Sequence, residues 1–318
     1  MSVPQSGPAA DGPAVSVVLP ALDREATIAA AIRSVLRQTW DDFELIVVDD
    51  GSTDGTVAAA RAVADPRLRV IELGRTGGVS AARNAGIAEA RAPWVAFQDS
   101  DDEWLPEKLE RQMARLAEMR GAGDGNGDGG TDWIAAYCGM AILGETPSGR
   151  ATVGYVPAPH LSGVEGDIHP TLAMTSLVST QTLVARTDAV RDVGGFDEAL
   201  RALVDWDLVL RLARRGRIAF VDAPLVLQTF SGNSITRDAR RRVEARERLL
   251  EKHADAFATV PGALAHHARA VAGGWRRLGE PARGRAALAG GLAAAPLDAR
   301  LRLAALALAL PAALTRRD

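Results

Sequence analysis

Short apolar runs that alternate with helix-period segments constrain the fold of this chain more than any other feature. Val15–Leu19 (VSVVL) is such a run, stopped by Pro20, and Leu45–Val48 (LIVV), Arg69–Leu73 and Trp94–Phe97 repeat it. Runs this short suit buried strands rather than helices. Between the first two, Ile28, Ile32, Val35 and Leu36 recur at helical spacing and predict an amphipathic helix. Further helices are predicted over about 54–64 and from Gly77-Gly78 to Ala90. Strand and helix in alternation with short links predict an α/β domain with a Rossmann-like, mixed but mainly parallel sheet.

Such sheets bind ligands beyond the carboxyl ends of their strands. Two acidic clusters stand there, Asp49-Asp50-Gly51-Ser52 and Asp99-Ser100-Asp101-Asp102. Aspartates at i and i+2 in a tight turn can face one metal–diphosphate unit, because a hard divalent cation takes carboxylate oxygens and offsets phosphate charge. The same residues also serve as ordinary turn and cap formers, and Asp102 could cap the helix containing Leu105–Leu116.

Beyond residue 120, GAGDGNGDGG (residues 121–130) reads as a flexible linker, since a calcium loop would need a terminal Glu. Trp133–Ala141, Thr182–Ala185, Ile218–Val221 and Leu225–Leu227 are strand-like, and a helix is predicted over about 203–215. From residue 237 Ala, Leu and Arg dominate. Leu264–Arg277, Ala282–Ala294 and Asp298–Leu310 read as three helices broken at Gly279-Glu280-Pro281 and Pro296. The chain therefore divides into a lead (residues 1–14) rich in Pro, Gly and Ser and predicted to be disordered, a core domain (15–236) and an all-helical C-terminal appendage (237–318).

Composition excludes several classes. The single cysteine, Cys138, rules out a disulfide framework and a Cys-based zinc site. A net charge of −3 offers no basic excess for nucleic acid. The charge is unevenly spread, however: residues 237–318 hold 16 basic and 8 acidic groups, which leaves −11 for the front. No basic n-region or apolar h-region marks a signal peptide. The longest apolar run, Leu303–Leu314, contains Pro311 and is too short to span about 30 Å of hydrocarbon. The default is a cytoplasmic, reducing setting.

In order along residues 15–236, five blocks resemble the family 2 glycosyltransferases of the GT-A fold. They are Val15–Pro20 with Ser34–Thr39; Phe43–Thr56; Gly77–Gly86; Phe97–Pro106; and Gly194–Glu198 followed by Asp205-Trp206-Asp207-Leu208 and Leu210-Arg211. The resemblance implies a metal-dependent, inverting transfer of sugar from a nucleotide diphosphate donor, UDP-linked by first choice, to a glycan or lipid-linked acceptor in surface polysaccharide or glycoconjugate synthesis. It implies that Pro20, Ala21 and Leu22 line the base pocket and that Asp50 accepts a hydrogen bond from the base. Asp99 and Ser100 would lie at ribose and diphosphate, with Asp101 the main ligand of Mn²⁺ or Mg²⁺, helped by Asp99. Arg83 would lie near the donor or brace the acidic loop. Asp205 would be the general base; taken alone it reads equally as a helix cap.

Three positions depart from the family pattern. Leu22 stands where an aromatic residue is usual, Val204 where Glu precedes the base, and Ser231 where His often follows the last core strand. They keep a second reading open, a nucleotide-sugar-binding scaffold without turnover. A nucleotidyltransferase lacks support, because neither Lys108 nor Lys252 follows a Gly-rich turn. Trp104 is a candidate for stacking on a sugar, the other tryptophans are core candidates, and His160 and His169 lie near the expected acceptor side. Arg237, Arg240, Arg241, Arg242, Arg246 and Arg248 crowd one helix. Anionic headgroups attract such clusters by about 1 kcal/mol per charge. Peripheral attachment at the inner face of the cell membrane and a merely solvated helix both fit.

Overall fold

The computed structural model describes residues 12–121, 132–146, 149–229, 238–294 and 296–309. Most of the predicted lead and linker, together with Ser231, Arg237 and Pro311, lie outside the described residues. The first half follows the alternation expected from the sequence: β1 (Val15–Ala21), α1 (Ile28–Leu36), β2 (Phe43–Asp49), α2 (Thr56–Arg61), β3 (Leu68–Glu72), α3 (Val79–Glu89) and β4 (Trp94–Phe97). Next come β5 (Glu103–Trp104), α4 (Lys108–Gly121), β6 (Trp133–Thr146), β7 (Gly149–Val156) and α5 (His169–Leu172). A 3-10 turn (Thr180–Thr182) leads into β8 (Leu183–Arg186), α6 (Thr187–Asp192), α7 (Val204–Ala213) and β9 (Arg217–Thr229). The rest is helical: α8 (Ala239–Lys252), α9 (Ala254–Ala258), α10 (Ala263–Arg277), α11 (Pro281–Ala294) and α12 (Ala299–Ala309).

The strands form one sheet in the order β3-β2-β1-β4-β8-β6-β9-β5, with β7 added beside β6. β1 pairs in parallel with both β2 and β4, and β2 in parallel with β3. The chain thus winds one way from β1 to β3 and then returns to the other side of β1. Every residue of β1 and β2 is buried, which is why both read as unbroken apolar runs. α3 packs on β1 through Gly86, where an added Cβ would lie 2.4 Å from Val18 Cγ1.

Two predicted strands, Ile218–Val221 and Leu225–Leu227, are one strand. β9 runs through Pro224 because its partner β6 shifts register on both sides of Gly139. A Cβ at Gly139 would fall 2.8 Å from the carbonyl of Ala223, so the pairing needs glycine there.

The chain divides into two compact units, residues 1–169, 177–198 and 208–231, and residues 170–176, 199–207 and 232–318. The first holds the sheet and its main core. In the second, Ala265, Ala268, Ala272, Leu288 and Leu301 form a small core of their own. Trp275 of α10 is fully buried there, with the Arg283 guanidinium 3.5 Å and that of Arg240 5.4 Å from its ring centre, while its Nε1 donates to Glu247 at 2.6 Å. Much of the arginine crowd of α8 is engaged in this unit. Arg240 pairs with Glu280, Arg241 with Asp238, and the Arg248 guanidinium donates to the Ala199 carbonyl. Burial lowers the Arg246 pKa, and its guanidinium stacks over Trp206. His267 is fully buried, donates from Nε2 to the Ala173 carbonyl, and is pushed down to about 4 by burial and by Arg246.

Candidate active site

The carboxyl ends of β1, β2 and β4 meet where the strand order reverses, the position at which open α/β sheets bind ligands. Pro20 and Ala21 end β1 and are buried, while Leu22 just beyond is half-buried. Asp49 ends β2, and the amide of Asp50 donates to the Ala21 carbonyl at 2.8 Å, which ties the two strand ends together. The loops that follow are laced by side chains. Ser52 Oγ accepts from the Asp23 amide, Asp23 Oδ1 accepts from the Thr53 amide, and Asp54 Oδ1 accepts from the Thr56 amide at the start of α2. Those polar residues of the Asp-Gly-Ser-Thr-Asp block are turn and cap formers.

Asp50 is buried and its two carboxylate oxygens accept from the amides of Gly77 and Gly78, at 2.7 and 2.8 Å. This fixes the entrance to α3 against β2. Each oxygen retains a second lone pair for a further donor. Asp49 is spent differently: its Oδ2 accepts from the amides of Gly51 and Ser52, while its buried Oδ1 has no partner.

α3 turns two polar side chains inward on its first turns. Arg83 is buried, and its Nη2 donates to Asp99 Oδ1 at 2.5 Å. The Phe196 ring lies 5.2 Å from its guanidinium carbon. Arg83 Nε and the hydroxyl of Ser80 are buried with no hydrogen-bond partner. Buried donors of this kind are rare unless a ligand or water completes them. The sequence signal for Ser80 is its place two residues after Gly78, in the first turn of α3.

After β4 the acidic turn separates into two jobs. Asp99 is partly exposed, Asp101 is half-buried and Ser100 is buried. Asp102 is buried, and it caps no helix, since α4 begins only at Lys108. Its Oδ2 accepts from Gln181 Nε2 at 2.8 Å, its Oδ1 from the Thr229 amide at 3.1 Å, and its carbonyl from Gln98 Nε2 at 2.7 Å. Burial, then the charges of Asp99 and Asp101, hold its carboxyl well above the usual carboxylate range. The turn is thus pinned from below by Asp102 while Asp99 and Asp101 crowd negative charge above. Gln181 and Gln98 carry no sequence signal, because their roles exist only once distant segments meet.

Trp104 does not face a sugar. It is 1% exposed and its Nε1 donates to the Gln181 carbonyl, so it belongs to the floor beneath the acidic turn. His160 is exposed and His169 half-buried. The Gly194–Glu198 block meets α3 through Asn84, whose Oδ1 accepts from the Phe196 amide and whose Nδ2 donates to the Phe196 carbonyl and to Glu198. Asp205, half-buried in the first turn of α7, accepts from the Trp206 amide at 2.8 Å. Pro20, Ala21, Leu22, Asp50, Arg83, Asp99, Ser100 and Asp101 all belong to the first unit, whereas Asp205 belongs to the second.

The reversed α/β sheet, continued by β8, β6 and β9, has the GT-A fold. Residues 16–131 match the glycosyl transferase family 2 profile. The succinoglycan biosynthesis protein ExoO of Rhizobium meliloti is 46% identical over 110 residues, 35% of this chain and 31% of that protein. The glucosyltransferase WfgD of Escherichia coli, named for UDP-Glc and a diphosphoundecaprenol-linked acceptor, is 38% identical over 32% of this chain and 40% of its own. The chain thus spans well under half the length of these curated relatives. Among solved structures, S. aureus TarS 1-349 in complex with UDP-GlcNAc superposes with a TM-score of 0.64 at 19% identity, over 92% of this chain and 88% of that one. The mannosyltransferase PcManGT of Pyrobaculum calidifontis in complex with GDP-Man and Mn²⁺ gives 0.60 at 20% identity, over 93% and 80%. No helix among the described residues is long and apolar enough to cross a membrane.

Proposed function

We propose that this chain transfers a sugar from a nucleotide diphosphate donor, a UDP-sugar first, to a hydroxyl of a glycan or lipid-linked acceptor with inversion, in surface polysaccharide or glycoconjugate synthesis. The observation that carries the reading is the pair of unpartnered buried donors, Ser80 and Arg83 Nε, on the helix beside Asp50 and Asp99. Donors without partners suit an anionic ligand. Asp50 retains acceptor capacity for a base N–H, and Pro20, Ala21 and Leu22 offer apolar contact to its ring.

In this reading Asp205 accepts the proton of the acceptor hydroxyl as that oxygen attacks the anomeric carbon. The new carbon–oxygen bond forms opposite the breaking bond to the diphosphate, which leaves as nucleoside diphosphate. Asp101 and Asp99 fit a divalent cation carried with the donor, because they place two carboxylates in the one tight turn that follows β4. Among the described residues no three His, Cys, Asp or Glu side chains gather as a metal cage. When bound, Mn²⁺ or Mg²⁺ would offset the charge of the leaving diphosphate.

Val204 and Leu22 motivate the rival, a binding scaffold without turnover. A nucleotide-sugar panel with and without Mn²⁺ separates the two. Stabilisation of the fold together with donor turnover supports transfer, and stabilisation without turnover over a broad acceptor panel supports the scaffold. For an anionic membrane surface, we look to the end of the helical unit rather than to α8. There Leu297, Leu303 and Leu306 are exposed at 83%, 66% and 64%, with Arg300 and Arg302 exposed beside them.

A further inference from the structure

The first turn of α7, which carries Asp205, is held by the C-terminal helices. Asp207 is fully buried two residues beyond Asp205. Its Oδ1 accepts from His253 Nε2 and from Lys252 Nζ, each at 2.8 Å. Trp206, between the two aspartates, is also buried. Its Nε1 donates to the Leu172 carbonyl at 2.8 Å, and its ring meets Phe257 and His267 edge-on at 6.1 and 5.2 Å. Arg248 donates to the Ala199 carbonyl in the segment leading to the turn. Leu203, the residue before α7, adopts φ +57°, a left-handed conformation that non-glycine residues hold only when their surroundings fix it. Its carbonyl accepts from the Asp207 amide, the hydrogen bond that closes the turn.

A carboxylate buried this deeply is costly unless paired, so the His253 and Lys252 donors decide where Asp207 sits. Asp207 and Asp205 lie on one helical turn, and moving one rotates the other. We propose that His253 and Lys252 are positioning residues of the transfer reaction. By clamping Asp207 they fix the turn that aims the Asp205 carboxylate, which makes the C-terminal helices part of the catalytic apparatus. The proposal rests on the reading of Asp205 as the base.

The test uses the full chain with a UDP-sugar and Mn²⁺, comparing His253→Ala, His253→Gln, Lys252→Met and Asp205→Asn. Turnover, calorimetric Kd for UDP and thermal midpoint are measured for each. His253→Ala is expected to lower kcat at least 10-fold with the UDP Kd unchanged, and Lys252→Met, at a partly exposed site, to lower it less. His253→Gln, which still offers an N–H donor to Asp207, is expected to raise both kcat and the thermal midpoint above those of His253→Ala. A purely structural role would move the midpoint and leave the kcat of the folded protein at the wild-type value. Wild-type kcat in both His253→Ala and Lys252→Met, with Asp205→Asn inactive, would overturn the clamp alone. Wild-type turnover in Asp205→Asn would overturn the base reading and the clamp with it. If His253→Ala does not fold, Lys252→Met decides by the same split between kcat and Kd.

Discussion

Lys108 lies fully buried beneath the acidic turn, and its replacement has an effect whose size can be worked out. Its Nζ donates to Gln112 Oε1 at 2.8 Å and sits 3.8 Å from the centre of the Trp104 ring. One acceptor and one aromatic face do not replace the hydration of an ammonium, so burial pushes its pKa down from 10.5 to about 8. The folded state therefore disfavours the charged form, and stability is lowest below pH 8, where the fold must carry a buried charge. As pH rises from 8 toward 10.5 only the unfolded chain stays protonated, and stability increases. Between pH 7 and 10 this single group adds about 2.5 kcal/mol. Lys108→Met removes that dependence but strands Gln112 Oε1, at a cost of about 1–3 kcal/mol. Urea unfolding followed by tryptophan fluorescence, for both proteins at pH 7 and 10, isolates the effect. The neighbouring Cys138 thiol, which burial raises to about 11 and which is coupled to Lys108, changes stability in the opposite sense, so both proteins are compared in a Cys138→Ala background. The variant is expected near wild-type stability at pH 7 and about 2–3 kcal/mol below it at pH 10. Parallel pH curves would refute the reasoning.

Gly86→Ala drives a methyl group into Val18 and is expected to cost about 1–3 kcal/mol of unfolding free energy. Adding Val18→Ala should return part of it, as a double-mutant cycle would read. Ser80→Ala removes an unpartnered hydroxyl, so the thermal midpoint should hold while the UDP Kd rises about 5- to 10-fold, the value of one hydrogen bond. Leu303→Glu should weaken co-sedimentation with anionic vesicles in a salt-sensitive manner, and no binding by the wild type at low salt would remove the membrane reading.

The strands of the first half were legible because both faces of β1 and β2 are covered, which forces unbroken apolar runs. β7 escaped because it pairs only with β6, and Arg150 and Gly154 interrupt its pattern. β5 is two residues long and exists only through its pairing with β9. The acidic clusters were legible for a similar reason, since chain topology puts strand ends where ligands bind. Asp102, Gln181 and the Asp207–His253 pair were not. Their partners lie 79 and 46 residues away, and nothing local marks a side chain whose function is to satisfy a distant buried group. In the rear, the sequence shows the arginines of α8 as a cluster but not their partners, Glu280, Asp238, Trp206 and Trp275, three of which lie outside that helix and its cap.

The most direct measurement compares wild type and Asp205→Asn with a panel of UDP-sugars, Mn²⁺ and lipid-linked acceptors, following donor binding by calorimetry and product by mass. The expected result is UDP-sugar binding by both proteins, with transfer by the wild type reduced about 10²- to 10⁴-fold in the variant. Wild-type binding without transfer to any acceptor, or equal transfer by the two proteins, would contradict a base-catalysed glycosyltransferase.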